Sequence, residues 1–222
     1  MLNGLLRKLQ SGVVAAAVLA ASAIADDGGG TTILRYQKDA ARDRGWALTT
    51  EGVAVFDYRT RETTGFVHLP GWVWAGEAYI CPPDLALGPK GEVLVSSNVI
   101  PSLWRIDPVT LRVTRHDLAI DAHQDKDVGF TGLTYSAQLG VYLGVSPFGA
   151  LWRIDPQLRR AQEVRLSESI QRPCSVTPIT RGADGRSLRL FRLCVHGDGI
   201  AWTVHLAPDQ RSGYVREGCI TL

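Results

Sequence analysis

Short runs of alternating apolar residues, each closed by a turn cluster, fill the chain from about residue 31 onward. One stretch reads Asp84-Leu85-Ala86-Leu87-Gly88, a Pro-Lys-Gly turn, Glu92 to Ser97, Leu103 to Asp107, a second turn, and Arg112 to Leu118. Runs this short with a period of two predict β-strands. They hold too few residues for a helix and are bounded by Gly, Pro, Asp and Ser. A second stretch has the same plan: Gly132 to Ser136, Val141 to Ser146, Leu151 to Asp155 and Ala161 to Leu166. A third reads Ser175 to Thr180, Leu188 to Val195, Ile200 to Leu206 and Gly213 to Ile220. The first unit is less regular, with predicted strands at Thr31 to Tyr36, Trp46 to Thr49, Val53 to Tyr58 and Thr63 to Leu69. No amphipathic helical pattern stands out.

The units are copies of one another. Ser102-Leu103-Trp104-Arg105-Ile106-Asp107-Pro108 returns as Ala150-Leu151-Trp152-Arg153-Ile154-Asp155-Pro156, an offset of 48. A further step of 50 reaches Trp202, and a step of 50 back from Trp104 reaches Ala54. Three residues beyond this column lies another: Asp57, Asp107, Asp155 and His205. Tandem four-stranded units of 40–50 residues predict an all-β fold, a β-propeller of four blades. Twisted meanders stacked around an axis bury both faces against their neighbours and leave short edges. The expected blades are residues 26–70, 71–119, 120–167 and 168–222. The Trp column is expected to wedge between blades, and the Asp column to close Asx turns before Pro. An open arc of blades completed by a partner chain is the alternative architecture.

Residues 1–25 change the setting. Arg7 and Lys8 precede an apolar run from Gly12 to Ala25 that ends Ala23-Ile24-Ala25. That order is expected of a cleaved secretory signal peptide, and the run is shorter than a membrane span. The expected location is the periplasm or the outside of the cell, with no membrane span after cleavage. Cleavage would leave 197 residues with 22 basic against 22 acidic side chains. That balance, without a basic run carrying aromatics, argues against nucleic-acid binding. Cys81, Cys174, Cys194 and Cys219 permit three sets of two disulfides in an oxidising compartment. Cys81 and Cys174 precede the first strands of units two and four, which face one another in a four-bladed ring. Cys174 with Cys194, on adjacent strands, is the other pairing considered. No C-x-x-C spacing points to a zinc or redox site.

The run from Asp84 to Asn98, followed by Leu103-Trp104-Arg105-Ile106-Asp107-Pro108, resembles a superfamily of soluble and secreted propellers. Gluconolactonase-like enzymes, antibiotic-lyase-like propellers and repeat proteins of bacterial surface layers belong to it. The resemblance implies the fold. Those enzymes have six or seven blades and hold a metal with Glu, Asn and Asp from separate blades. Asp84 and Asn98 stand in suggestive places, but units three and four carry no matching Glu and Asn, so no catalytic residue is carried across.

Propeller ligands are expected at one mouth, in loops held by rigid strands. Two loops stand out. Leu69 to Cys81 carries Trp72, Trp74, Glu77 and Tyr79 between glycines. Its aromatics suit either a stacking wall for a flat ligand or a plug for the core. Ile120 to Phe130 carries alternating Asp121, His123, Asp125 and Asp127. These suit a solvated acidic loop or a calcium-like oxygen set, although Lys126 stands where an EF-hand loop requires Gly. His196 in a tight Gly-Asp-Gly loop reads as a hairpin turn. There is no G-x-S-x-G, G-x-G-x-x-G, phosphate loop or H-E-x-x-H. The expected function is an exported binding module for a small molecule or a protein partner, without a cofactor. Its ligand surface is Trp72, Trp74, Glu77, Tyr79, Asp84, Asn98, Asp121, His123, Asp125 and Asp127. The second reading is a lactonase-like hydrolase or lyase using a divalent metal such as calcium, with Asp84, Asn98 and Asp127 as ligands. A third is a degenerate subunit of a larger periplasmic assembly.

Overall fold

The computed structural model describes residues 31–221, apart from 77–80, 123–128, 169, 171–173, 180–186 and 194–197. The expected signal peptide lies outside the described residues, as do Glu77, Tyr79, His123, Asp125, Asp127, Cys194 and His196. The described chain is all-β, a propeller of four antiparallel blades. Blade 1 is β1 (Ile33–Asp39), β2 (Arg44–Thr49), β3 (Val53–Asp57) and β4 (Thr63–Val67), hydrogen-bonded in that order. Blade 2 follows with β5 (Leu85–Leu87), β6 (Val93–Ser96), β7 (Ser102–Ile106) and β8 (Val113–Asp117).

Blades 3 and 4 each gain an outer fifth strand from the chain that enters them. In blade 3, β9 (Ala119–Asp121) runs parallel to the outer β13 (Arg160–Glu163), beyond β10 (Gly132–Ser136), β11 (Val141–Val145) and β12 (Leu151–Ile154). In blade 4, β14 (Arg165–Leu166) pairs parallel with β18 (Ser212–Thr221), outside β17 (Asp198–Leu206), β16 (Ser187–Leu193) and β15 (Ser175–Ile179). The chain leaving one blade thus grips the outer edge of the next before crossing to its inner strand. These parallel pairs also cover otherwise open edges. Among the described residues no helix is long and apolar enough to cross a membrane.

Period-two alternation splits each strand between two seams. Val93 and Val95 of β6 pack with Trp104 and Ile106 against Trp46, Leu48, Val53 and Val55 of blade 1. Leu94 and Leu103 turn the other way, into a cluster with Leu133, Tyr142, Trp152 and Ile154 of blade 3. Leu143, Val145 and Leu151 in turn meet Val176, Val204 and Leu206 of blade 4. Trp104 and Trp152 are fully buried on the faces turned to the preceding blade, as wedges between blades. Ala54 and Trp202 hold the same third-strand position in blades 1 and 4.

The hairpin between strands three and four repeats in backbone detail. Asp57 accepts the amides of Arg59 and Thr60, Asp107 those of Val109 and Thr110, and Asp155 those of Gln157 and Arg159. The amides of Thr60 and Thr110 hold the Asp57 and Asp107 carboxyls below their ordinary range. The Asp column therefore closes Asx turns. Each hairpin also contains one left-handed residue: Arg61 (φ 68°), Leu111 (58°), Leu158 (58°) and Gln210 (59°). Four non-glycine residues in that sparsely populated region, each at the same turn, are a repeat written in the backbone.

Candidate functional site

The inner strands β1, β5, β10 and β15 all begin at the same end of the propeller, where the β2–β3, β6–β7 and β11–β12 connections also lie. This mouth is built around Asp84, the residue before β5. Its Oδ1 accepts the Leu85 amide and its Oδ2 accepts the Leu133 amide of blade 3, both at 2.8 Å. Arg35 of β1 stands 3.4 Å away as its ion-pair partner. One carboxylate thus ties three blades. Burial pushes the Asp84 pKa up to about 6, against the pull of the Arg35 charge and the two amides.

Ser96 extends the tie. Its hydroxyl accepts the Asp84 amide at 2.8 Å and lies 2.8 Å from the Phe130 carbonyl oxygen, to which it donates. Arg35 reaches the fourth blade by donating to the Cys174 carbonyl at 3.2 Å. Cys174 is disulfide-bonded to Cys81, with Cα atoms 5.2 Å apart. Of the pairings open in the sequence, the bond between units two and four is the one formed.

The loop over residues 70–76 is laid onto the end of blade 2. Trp104 Nε1 donates to the Pro70 carbonyl at 2.8 Å, and Trp72 Nε1 to that of Ser96 at 2.9 Å. Ser97 Oγ donates to the Val73 carbonyl at 2.6 Å. Asn98 is buried, accepts the Ala75 amide at 2.9 Å, and donates to the carbonyls of Ala75 at 2.8 Å and Cys81 at 3.3 Å. Its side chain acts as a clamp. Trp72 and Trp74 are stacked, with ring centroids 6.0 Å apart and planes at 26°. Both are half-buried, while Val73 between them is exposed. Phe148, on the β11–β12 connection at the same mouth, is exposed as well.

The structure therefore gathers Trp72, Trp74, Asp84 and Asn98 at one end. Asp121 is placed elsewhere. It lies on β9, four strand spacings out from β10, or about 19 Å. There it pairs with Arg160 at 2.7 Å. The alternation that grouped Asp121 with His123 came from reading an extended loop, and a parallel edge pairing takes its first residue to the rim. Sequence reasoning missed Arg35, Ser96, Ser97 and Phe148. Arg35 is the cation of a predicted inner strand, which was the available signal for a buried acidic partner. Phe148 is a lone aromatic in a predicted hairpin turn. Among the described residues no three His, Cys, Asp or Glu side chains converge as a metal site.

No protein-family model matches the chain. No curated protein matches it either. Solved structures do. An auxiliary nutrient-binding protein from Bacteroides thetaiotaomicron superposes with a TM-score of 0.56 at 10% identity, over 87% of this chain and 43% of that one. A streptogramin B lyase gives 0.50 at 13% identity, over 78% of this chain and 50% of that one. The Malassezia sympodialis allergen Mala s 1 gives 0.47 at 11% identity, over 84% and 78%. This chain thus spans about half the length of the first two. At such identities the likeness to the first two is one of fold, and it is the propeller fold that the strand pattern implied.

Proposed function

We propose that this chain is an exported binding module that takes its ligand at the mouth carrying Trp72, Val73, Trp74 and Phe148. The observation that carries the reading is the stacked Trp72–Trp74 pair, fixed by the backbone clamps of Ser97 and Asn98 and partly open to solvent. A rigid aromatic platform beside exposed apolar residues suits a ligand with a flat or apolar face. The polar groups nearby already have protein partners: Asp84 with two amides and Arg35, Asn98 with Ala75 and Cys81. They support the platform instead of standing ready for chemistry. The nutrient-binding neighbour agrees with this reading in kind. Export accords with the Arg7–Ala25 leader pattern and the Cys81–Cys174 bond. Glu77 and Tyr79 in the first loop, and His123, Asp125 and Asp127 in the second, complete the proposed surface by their places in the sequence.

The test is a thermal-shift screen of the purified chain against sugars, oligosaccharides, amino acids and peptides, with calcium, manganese and zinc as separate arms. Hits are followed by calorimetry on Trp74→Ala and Phe148→Ala. An organic ligand whose affinity falls at least about tenfold in both variants, with melting temperatures preserved, supports the proposal. Binding that ignores both substitutions refutes it. A divalent cation that alone stabilises the chain, and no longer does so in Asp84→Asn, favours the metal-dependent hydrolase or lyase instead.

A further inference from the structure

The repeat shows where blade 1 departs from the other blades. On the inner strands Tyr36 stands at the register of Leu85, Leu133 and Val176, all three buried. Lys38 stands at the register of Leu87, Tyr135 and Pro178. In the hairpin between strands three and four, Tyr58 follows Asp57 where Pro108 and Pro156 follow Asp107 and Asp155. Arg61 takes the left-handed position that Leu111 and Leu158 take in blades 2 and 3. Two tyrosines and two cations thus replace residues that the other blades keep mostly apolar.

The four replacements converge. Lys38 Nζ lies 3.6 Å from the centroid of the Tyr58 ring, and Arg61 Cζ lies 4.6 Å from it. Burial, with Tyr58 beside it, raises the Tyr36 pKa, while the charge of Arg61 and its hydrogen bond oppose that rise. Tyr36 stacks at 5.5 Å on Phe56, whose buried ring packs against Gly45, where a Cβ would run into it. This is the face turned away from blade 2, since Trp46, Leu48, Val53 and Val55 take the other one. Tyr36 is 44% exposed, Tyr58 is half-buried, and Lys38 and Arg61 are exposed. Among the described residues neither cation meets a carboxylate within ion-pair distance. Asp39 is held by Arg42, and Asp57 by the amides of Arg59 and Thr60. A terminal repeat made polar for solubility needs charges alone. Rings kept at the surface beside unneutralised cations mark a recognition surface.

We propose that this face of blade 1 binds a uronate-bearing carbohydrate chain, one sugar lying on the Tyr36 ring with its carboxylate at Lys38 and Arg61. An aromatic ring matches the C–H face of a sugar, and its hydroxyl can bond to the sugar's own. The carboxylate supplies the charge that the two cations lack, in charge-assisted hydrogen bonds. Tyr58 holds both cations in place for it. Two tyrosine rings suit one or two sugars. They offer far less than the roughly 800 Å² a side of a stable protein interface, which favours a glycan over a folded partner. The surface is separate from the mouth, because the hairpin carrying Tyr58 and Arg61 closes the opposite end of blade 1.

Calorimetry of the purified chain with trimers of galacturonate and of mannuronate is expected to show binding of at least one. The matching neutral trimer of galactose or mannose should bind at least about tenfold more weakly. Lys38→Gln, Arg61→Gln and Tyr36→Ala should each lower the affinity about tenfold, with the β-sheet circular dichroism unchanged. Arg59→Gln, at an exposed cation of the same hairpin, should change it by less than about threefold. Binding of neither acidic trimer overturns the proposal, as does equal affinity for the neutral one. An equal loss in Arg59→Gln overturns it as unspecific attraction of a polyanion. Equal affinity for a hexaglutamate peptide overturns it in favour of an acidic protein segment. Binding that falls in Trp74→Ala and ignores Tyr36→Ala belongs to the mouth and overturns it too. Should Tyr36→Ala disturb the fold, the two Gln variants, which alter exposed side chains only, decide the matter.

Discussion

Replacing Cys81 and Cys174 by serine is expected to remove several kcal/mol of stability. The bond joins residues 93 apart in sequence and encloses every strand from β5 to β14, which covers blades 2 and 3 entire. Cross-linking a loop of that length withdraws about 16 cal/mol/K from the unfolded chain, or about 4.7 kcal/mol at 25 °C on the chain-entropy account. That figure is a ceiling, since residual structure in the unfolded chain lowers it. The alternative pairing of Cys174 with Cys194 would close a loop of only 20 residues, worth about 3.3 kcal/mol. Urea unfolding followed by tryptophan fluorescence and far-ultraviolet circular dichroism reads the effect. With a slope near 2.5 kcal/mol per molar for a domain of this size, the midpoint should fall by about 2 M. Cys194→Ser should leave the Cys81–Cys174 peptide pair intact in a non-reducing digest. A double serine variant whose midpoint moves by less than about 0.3 M would refute the reasoning. A digest joining Cys174 to Cys194 would do so as well.

The buried carboxyl of Asp84 binds its proton more tightly in the folded chain, with a pKa of about 6 against 3.8. Its contribution to stability is therefore present in full below pH 3.8 and is lost as pH rises through 6, a change of about 3 kcal/mol. Unfolding free energies of the parent and Asp84→Asn between pH 4 and 7 should diverge by that amount, and parallel curves would refute it. Trp104 and Trp152 are both fully buried, but Trp104 Nε1 donates to Pro70 while Trp152 Nε1 is buried without a partner. Trp104→Phe leaves a carbonyl unpaired and Trp152→Phe removes an unpaired donor, so the former should destabilise by about 1 kcal/mol more in denaturant melts. The reverse order would count against the geometry of these seams.

The features legible in the sequence share one property: they are local and repeated. Trp104 and Trp152 announced the blades because the same six-residue run, Leu-Trp-Arg-Ile-Asp-Pro, builds the same strand and turn twice. Asp57, Asp107 and Asp155 were readable as turn residues because an Asx turn needs only amides two to four residues on. What escaped depends on distant partners. Strands β9 and β14, with 3 and 2 residues, show no alternation and exist through parallel pairing with β13 and β18. Asp121 looked like part of an acidic loop because Arg160, 39 positions on, is invisible to a local pattern. Asp84 and Asn98 were found, but with ligand roles in mind. Their engagement with Leu133, Arg35, Ala75 and Cys81 comes from blades meeting in space. The left-handed Leu111 and Leu158 carry no Gly or Asn to give them away.

The division of labour at the mouth constrains how a ligand would bind there. A propeller buries both faces of its strands, so its polar side chains collect at the strand ends, where crossing backbone must be satisfied. Here Asp84, Ser96, Ser97 and Asn98 are committed to that task, each bonded to main-chain groups of another segment. The Trp72 and Trp74 rings, Val73 and Phe148 offer carbon surface at this mouth, and the exposed Glu51 of the β2–β3 connection adds a charge. Burying such surface removes apolar area from water and gives a negative heat capacity change, whatever the sign of the enthalpy. The clamps also hold the platform before the ligand arrives, so little ordering of the chain should add to that change. Calorimetry of the best organic ligand at several temperatures should accordingly show a binding enthalpy that becomes more favourable on heating. The slope should shrink in Trp74→Ala. An enthalpy flat with temperature would place the recognition in polar contacts and move the site off the tryptophan platform.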